Sequence, residues 1–178
     1  GTRINEVDLQ TRAALHSFAG AMYLKEKHTD LISDKIIDAV RNSASEGASL
    51  VVFPEFSITG YTCGDLFLQR ALQKSAVENL ERIAARTASL DCIIAVGLPI
   101  NVENAIYNCA AVLYHGKILA LIPKTFIPNY SEFYERRYFT PASSSVPSSI
   151  RLSEKNHSVP FGTDILVCDE NNPDFVLG

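Results

Sequence analysis

Two segments of this chain place one charged residue at the end of an apolar run, directly after a proline. Leu50 to Phe53 leads into Pro54 and the carboxylate of Glu55, and Leu119 to Ile122 leads into Pro123 and the ammonium of Lys124. A carboxylate can take and return protons, and an ammonium can stabilise negative charge as it develops on oxygen. Together they supply half of the apparatus needed to hydrolyse an amide; a nucleophile would be the other half. Eight positions beyond Lys124 stands a second carboxylate, Glu132, among Tyr130, Phe133 and Tyr134. It could hold the ammonium or a nucleophile in register. Each charge also has a plainer reading: Glu55 as a loop or helix-capping carboxylate facing water, Lys124 as a solvated surface charge, Glu132 as a helix-surface residue. The plainer readings lose ground for the first two because both follow one local order of apolar strand, proline and charge. The carboxyl ends of strands are also where α/β sheets hold their ligands.

These residues need strands to carry them and helices to cover the strands. Residues 1–17 are polar and poorly patterned, and read as an extension, with a short helix from Val7 to Leu15. Phe18 to Leu24 is expected to form a first strand. Leu31, Ile32, Ile36, Ile37 and Val40 then recur at helical spacing, with Gly47 as the stop. After the strand Leu50–Phe53 and a Gly-rich loop, a helix is expected from Asp65 to Ser89, its inner face made by Leu72, Val77, Leu80, Ile83 and Ala84. Cys92 to Val96 reads as a strand closed by Gly97. Asn108–Tyr114 and Lys117–Ile122 flank the turn signal His115-Gly116 and read as a hairpin. The Ser- and Pro-rich stretch after Thr140 reads as a surface excursion, and Asp164–Cys168 with Asp174–Leu177 as another hairpin. Strands alternating with helices and followed by hairpins imply an α/β layered fold with a mixed sheet.

Composition narrows the classes. With 178 residues the chain is long enough for one domain, 47% of it is hydrophobic, and 20% is charged. A net charge of −4 and the absence of a basic stripe argue against a nucleic-acid partner, Arg136 and Arg137 being set among acids and aromatics. No apolar run approaches the ~18 residues that span a bilayer. The four cysteines, Cys63, Cys92, Cys109 and Cys168, form no C-x-x-C pair. Their spacing suits neither a zinc site nor a disulfide scaffold, so a reduced, cytoplasmic protein without a bound metal is expected.

The stretches F-P-E-x-x-x-T-G-Y from Phe53 and P-K-x-x-x-P-x-Y-x-E-F-Y-E-x-R from Pro123 resemble the nitrilase, or carbon–nitrogen hydrolase, superfamily. T-G-Y-T-C-G-D-L-F and P-N-Y-S-E-F-Y-E-R-R are similar, more narrowly, to the glutamine amidotransferase domain of the glutamine-dependent NAD+ synthetases. The resemblance runs from about Leu31 onward. It implies an α-β-β-α sandwich and a Glu–Lys–Cys mechanism. Glu55 would be the general base and Lys124 the stabiliser of the tetrahedral intermediate. Glu132 would be the additional orienting carboxylate, with Tyr130 and Phe133 lining the glutamine pocket. It further implies that ammonia from glutamine passes to an ATP-dependent synthetase domain, where ATP and Mg2+ act and nicotinic acid adenine dinucleotide is amidated.

None of the four cysteines fits the nucleophile's place. Cys168 precedes Asp169-Glu170 on a strand before the expected one, and Cys63 lies in a loop. The nucleophile is therefore expected beyond Gly178, residues 18–178 being the amino-terminal portion of a glutaminase domain that is inactive alone. Two other readings share these residues: a piece of a stand-alone nitrilase-type amidase, and a catalytically dead nitrilase-like assembly module. On any of these readings an exposed strand edge would favour a homo-oligomer.

Overall fold

The computed structural model describes residues 19–130, 134–153, 158–168, 174 and 176–178. The expected Val7–Leu15 helix lies outside them. Helix α1 runs from Ala19 to Ser45, so the strand expected over Phe18–Leu24 is replaced, from Ala19 on, by helix. Ala, Met, Leu, Lys and Glu dominate that stretch. Adding such residues to an existing helix is far less costly than nucleating a separate element. The stop is as expected: Gly47 has φ +91°, its N–H meets the carbonyl of Ala44, and Ala48 N–H reaches back to Ser43 at 3.0 Å. This pair of bonds is the Schellman closure, which requires a left-handed residue that glycine fills without strain.

Four strands form one mixed sheet in the order β1-β2-β3-β4: β1 Leu50–Val52, β2 Ile93–Val102, β3 Ala105–Tyr114 and β4 Lys117–Pro123. β1 runs parallel to β2, and the other two pairings are antiparallel. Helix α2, Arg70–Arg86, packs with α1 over the sheet. Their apolar residues Ile37, Val40, Leu80 and Ile83 share one core with Ile94, Val96, Leu98 and Leu113. Between the helices the contact is partly polar: Thr29 Oγ1 meets Ser75 Oγ at 2.7 Å and Ser33 Oγ donates to Asn79 Oδ1 at 2.6 Å. Smaller pairs follow, β5 Ser149–Ile150 with β6 Val159–Pro160 and β7 Val167–Cys168 with β8 Val176–Leu177. The last is the hairpin expected near the carboxyl end. The architecture is the expected α/β one, with a nitrilase-like mixed sheet. Among the described residues no helix is long and apolar enough to cross a membrane.

Several element boundaries differ from the sequence expectation, two of them beside the strand-end charges. The helix expected over Asp65–Ser89 is a short 3-10 turn at Gly64–Leu68, an extended Gln69 with ψ 127°, and then α2. Phe67 is drawn into an aromatic cluster with Phe56 and Phe139, both 4.9 Å away. Gln73 Nε2 donates to the Phe67 carbonyl across the break at 2.8 Å. Tertiary packing here overrides the helical period. Gly97, expected to close a strand, sits inside β2 instead, and the chain turns only at Glu103-Asn104. Both turn residues have positive φ, 49° and 77°, as do His115 and Gly116 at the next hairpin, 45° and 78°. These are the mirror-image turns whose twist matches antiparallel strands.

Candidate active site

The parallel strand β1 delivers Glu55. Phe53 N–H extends the pairing with a 2.8 Å bond to the Ala95 carbonyl, after which the chain turns, with Ser57 N–H on the Pro54 carbonyl. Phe56 takes φ +52° and is 1% exposed, stacked on Phe139 at 4.8 Å. A non-glycine residue in that region costs on the order of 1–3 kcal/mol, which burial of a full aromatic side chain offsets. Phe56 thus points into the core while its neighbour Glu55 points outward. The turn rests on Gly97: Ile58 N–H bonds to the Gly97 carbonyl at 3.1 Å, and Gly97 N–H to Ser57 Oγ at 2.9 Å.

Strand β4 delivers Lys124. Its backbone is fixed on both sides, N–H to the Asn108 carbonyl at 2.8 Å and carbonyl to Ala142 N–H at 3.0 Å. Its Nζ donates to Glu55 Oε1 at 2.8 Å across 69 residues of sequence. The two residues singled out from sequence therefore form one ion pair. The site is partly open, the Lys124 side chain 27% and the Glu55 side chain 46% exposed.

A second carboxylate does reach the ammonium, and it is Glu135. Its Oε2 lies 3.5 Å from Lys124 Nζ and its side chain is only 8% exposed. The Tyr61 hydroxyl donates to Glu135 Oε1, so both oxygens of this buried carboxylate have partners. Glu132 and Phe133, also expected here, lie outside the described residues. Glu132 and Glu135 belong to the same E-F-Y-E run, and spacing alone does not choose between them. Glu135 begins a 3-10 turn, Glu135–Arg137, and its own carbonyl accepts from the N–H groups of both Tyr138 and Phe139. The turn is tied to the loop after β1 by Arg137 to Asp65 at 3.0 Å and by the Tyr138 hydroxyl to the same carboxylate at 3.1 Å. Asn108, buried in β3, donates from Nδ2 to Glu55 Oε2 at 3.2 Å. Tyr61, Asn108 and Glu135 are the site residues that sequence reading passed over. Tyr61 closes the T-G-Y motif, and Asn108 is an isolated amide in an otherwise apolar strand.

The electrostatics follow the geometry. Burial pulls the Lys124 pKa down, but hydrogen bonds and charge from Glu55 and then Glu135 outweigh it, and the ammonium titrates above the ordinary lysine value. Burial, with the hydrogen bond to and charge of Glu135 and the charge of Glu55, holds the Tyr61 phenol protonated well above the tyrosine range. An open groove of about 660 Å³ is lined by Lys124, Phe126, Ile127, Tyr130 and Arg136, among others. Tyr130, one of the expected pocket residues, is therefore on the groove wall.

The cysteines stand apart from this arrangement. Cys109 is buried in the helix-facing core, and burial pushes its thiol far above the usual cysteine value. Cys92 is raised by burial and then by the charge of Asp91. Cys63 Sγ contacts the carbonyls of Thr59 and Gly60 at 3.2 and 3.3 Å, and Cys168 is exposed on β7.

Comparison with known proteins identifies the family and the fold. Residues 23–172 match the family described as Carbon-nitrogen hydrolase. A glutamine-dependent NAD(+) synthetase of Mycobacterium tuberculosis is 36% identical over 142 residues, which are 80% of this chain and 20% of that protein. The crystal structure of a glutamine-dependent NAD(+) synthetase from Cytophaga hutchinsonii superposes with a TM-score of 0.70 at 28% identity, covering 79% of this chain and 23% of that one. An amidase of the nitrilase superfamily from Nesterenkonia shares the fold, with a TM-score of 0.54 at 23% identity, over 69% of this chain and 46% of its own. The chain thus spans about a fifth of the length of the curated relatives it matches. With a strand-end glutamate and lysine paired on this sheet, and the family match running over most of the sequence, the chain belongs to the carbon–nitrogen hydrolases.

Proposed function

We propose that this chain carries the base and the cation of a glutaminase that releases ammonia from the side-chain amide of glutamine. In the whole protein the ammonia would serve ATP-dependent amidation of nicotinic acid adenine dinucleotide to NAD. One observation carries the reading: Lys124 Nζ lies between the half-exposed Glu55 and the buried Glu135, and Lys124 also lines an open groove. A lysine so held keeps its proton and remains a fixed positive charge. It is suited to an oxyanion and unsuited to act as a base.

Glu55 takes the proton from a cysteine thiol, and the thiolate attacks the amide carbon. Lys124 stabilises the oxygen of the resulting tetrahedral species. Glu55 returns the proton to nitrogen as the C–N bond breaks and ammonia leaves. Water, deprotonated by Glu55, then cleaves the γ-glutamyl thioester and frees glutamate and the thiol. Glu135, held by Tyr61, orients the ammonium, the role expected from sequence for Glu132. Tyr130 lines the glutamine path. The environments of Cys63, Cys92, Cys109 and Cys168 support a nucleophile supplied from outside these 178 residues, and the chain by itself is then inactive. ATP and Mg2+ belong, in this reading, to the synthetase domain, and no step above passes through them. The outer edge of β1, with Val52 67% exposed, supports self-association of the chain.

An electrophilic glutamine analogue tests the reading, with the adduct located by peptide mass spectrometry. The expected result is no adduct on this chain and a stoichiometric adduct on a cysteine outside it in the full-length protein. A stoichiometric adduct on Cys63 or Cys168 would overturn the assignment of the nucleophile, and no adduct on either protein would overturn the glutaminase itself.

A further inference from the structure

We infer that Asn108 is a positioning residue that sets the separation of base and cation, its side-chain amide holding Glu55 and its backbone carbonyl holding the strand end that carries Lys124. The catalytic sense of this rests on the glutaminase reading, but the geometry does not. Asn108 Nδ2 donates to Glu55 Oε2 at 3.2 Å, and Asn108 O accepts from Lys124 N at 2.8 Å. Lys124 Nζ closes the ring on the other carboxylate oxygen, Oε1, at 2.8 Å. Three bonds thus link the ends of the two outer strands, β1 and β4, through one residue of β3.

Asn108 is 3% exposed and its sequence neighbours in β3, Ile106, Tyr107 and Cys109, are all buried and mainly apolar. Burying a primary amide there is costly unless its donors are used. The partner found is a carboxylate that is itself 46% exposed and could have been solvated by water. Glu55 therefore does not depend on Asn108 for solvation. What the bond adds is direction: with Oε2 on a neutral donor fixed in the sheet and Oε1 on Lys124, the plane of the carboxylate is set. A charged donor in place of Asn108 would hold Glu55 too, but would compete with Lys124 for its charge. A neutral amide leaves the ion pair intact.

The test is competitive acetylation of lysines in the full-length protein at pH 8, read by peptide mass spectrometry with Lys74, a surface lysine, as reference. Only the unprotonated amine reacts, and each unit of pKa changes that fraction about tenfold. Asn108→Leu, which keeps the volume, and Asn108→Ala free the Glu55 carboxylate to swing away. The Lys124-to-Lys74 reactivity ratio is then expected to rise about three- to tenfold. The same rise is expected in Glu55→Gln, and Asn108→Leu should add nothing in that background, because the effect travels through Glu55. An unchanged ratio in folded variants would overturn the proposal. So would a further rise in the Glu55→Gln background, or loss of the cooperative melt in both single variants. Failure of the glutaminase reading would appear separately, in the glutamine-analogue labelling, and would leave the lysine ratios as they are.

Discussion

Gly97 lies directly beneath Glu55. A Cβ built on Gly97 would stand 2.8 Å from Glu55 Cα, 2.7 Å from the Pro54 carbonyl oxygen and 2.5 Å from Phe56 N. All three are backbone atoms, which do not swing aside as a side-chain tip can. The glycine is what allows the turn bearing Glu55 to lie on the sheet.

Gly97→Ala should therefore do two things at once. Overpacking against backbone is expected to cost about 1–3 kcal/mol, seen as a lower midpoint in urea. The Glu55 turn should also lift from the sheet and lengthen the 2.8 Å contact to Lys124. A crystal structure of the variant checks the second effect, and an unmoved Glu55 would refute the seating role.

Lys124 neutralises a carboxylate that is almost wholly buried. Lys124→Met would leave Glu135 with Tyr61 as its hydrogen-bond donor and an uncompensated charge. Removing one partner of a buried pair is strongly destabilising, but Lys124 is 27% exposed, so a loss of about 2 kcal/mol is expected after allowance for screening. Glu135→Gln in the Lys124→Met background should recover about half of it or more, since an amide needs no counter-charge. Denaturation of the two single variants and the double variant measures the coupling. Strict additivity would mean that the two side chains do not interact.

The site also predicts loss of stability at high pH. Tyr61 and Lys124 both titrate above their ordinary values of 10.0 and 10.5 in the folded chain. For a group raised in this way, the unfolded chain releases its proton first. Its stabilisation is complete below the ordinary value and is lost as the pH climbs toward the folded one. The midpoint for thermal unfolding is thus expected to fall from about pH 10 upward. Tyr61→Phe should remove the tyrosine part of that slope, while costing about 1–3 kcal/mol at neutral pH for a lost hydrogen bond to a buried carboxylate. Melting curves from pH 8 to 11.5 decide it: identical slopes for both proteins would contradict the Tyr61–Glu135 linkage.

What the amino-acid sequence determined by itself is whatever depends on local order. Apolar periodicity set β1, β4 and the helical run through Ile36, Ile37 and Val40, and Gly47 and His115-Gly116 set a helix stop and a turn. The order of strand, proline and charge was enough to single out Glu55 and Lys124, because strand ends deliver side chains to one rim of a sheet. Tertiary structure alone decided the rest, since it depends on groups far apart in the chain. That Glu135 reaches Lys124 turns on how the 3-10 turn at Glu135–Arg137 docks against Asp65. That Tyr61 satisfies Glu135 across 74 residues, and Asn108 satisfies Glu55 across 53, follows from the sheet order and from no local pattern. Gly97 makes the same point from the other direction. In sequence it resembles the end of a strand. In the fold it is the middle of one, glycine because another backbone passes within van der Waals distance, and that backbone carries Glu55.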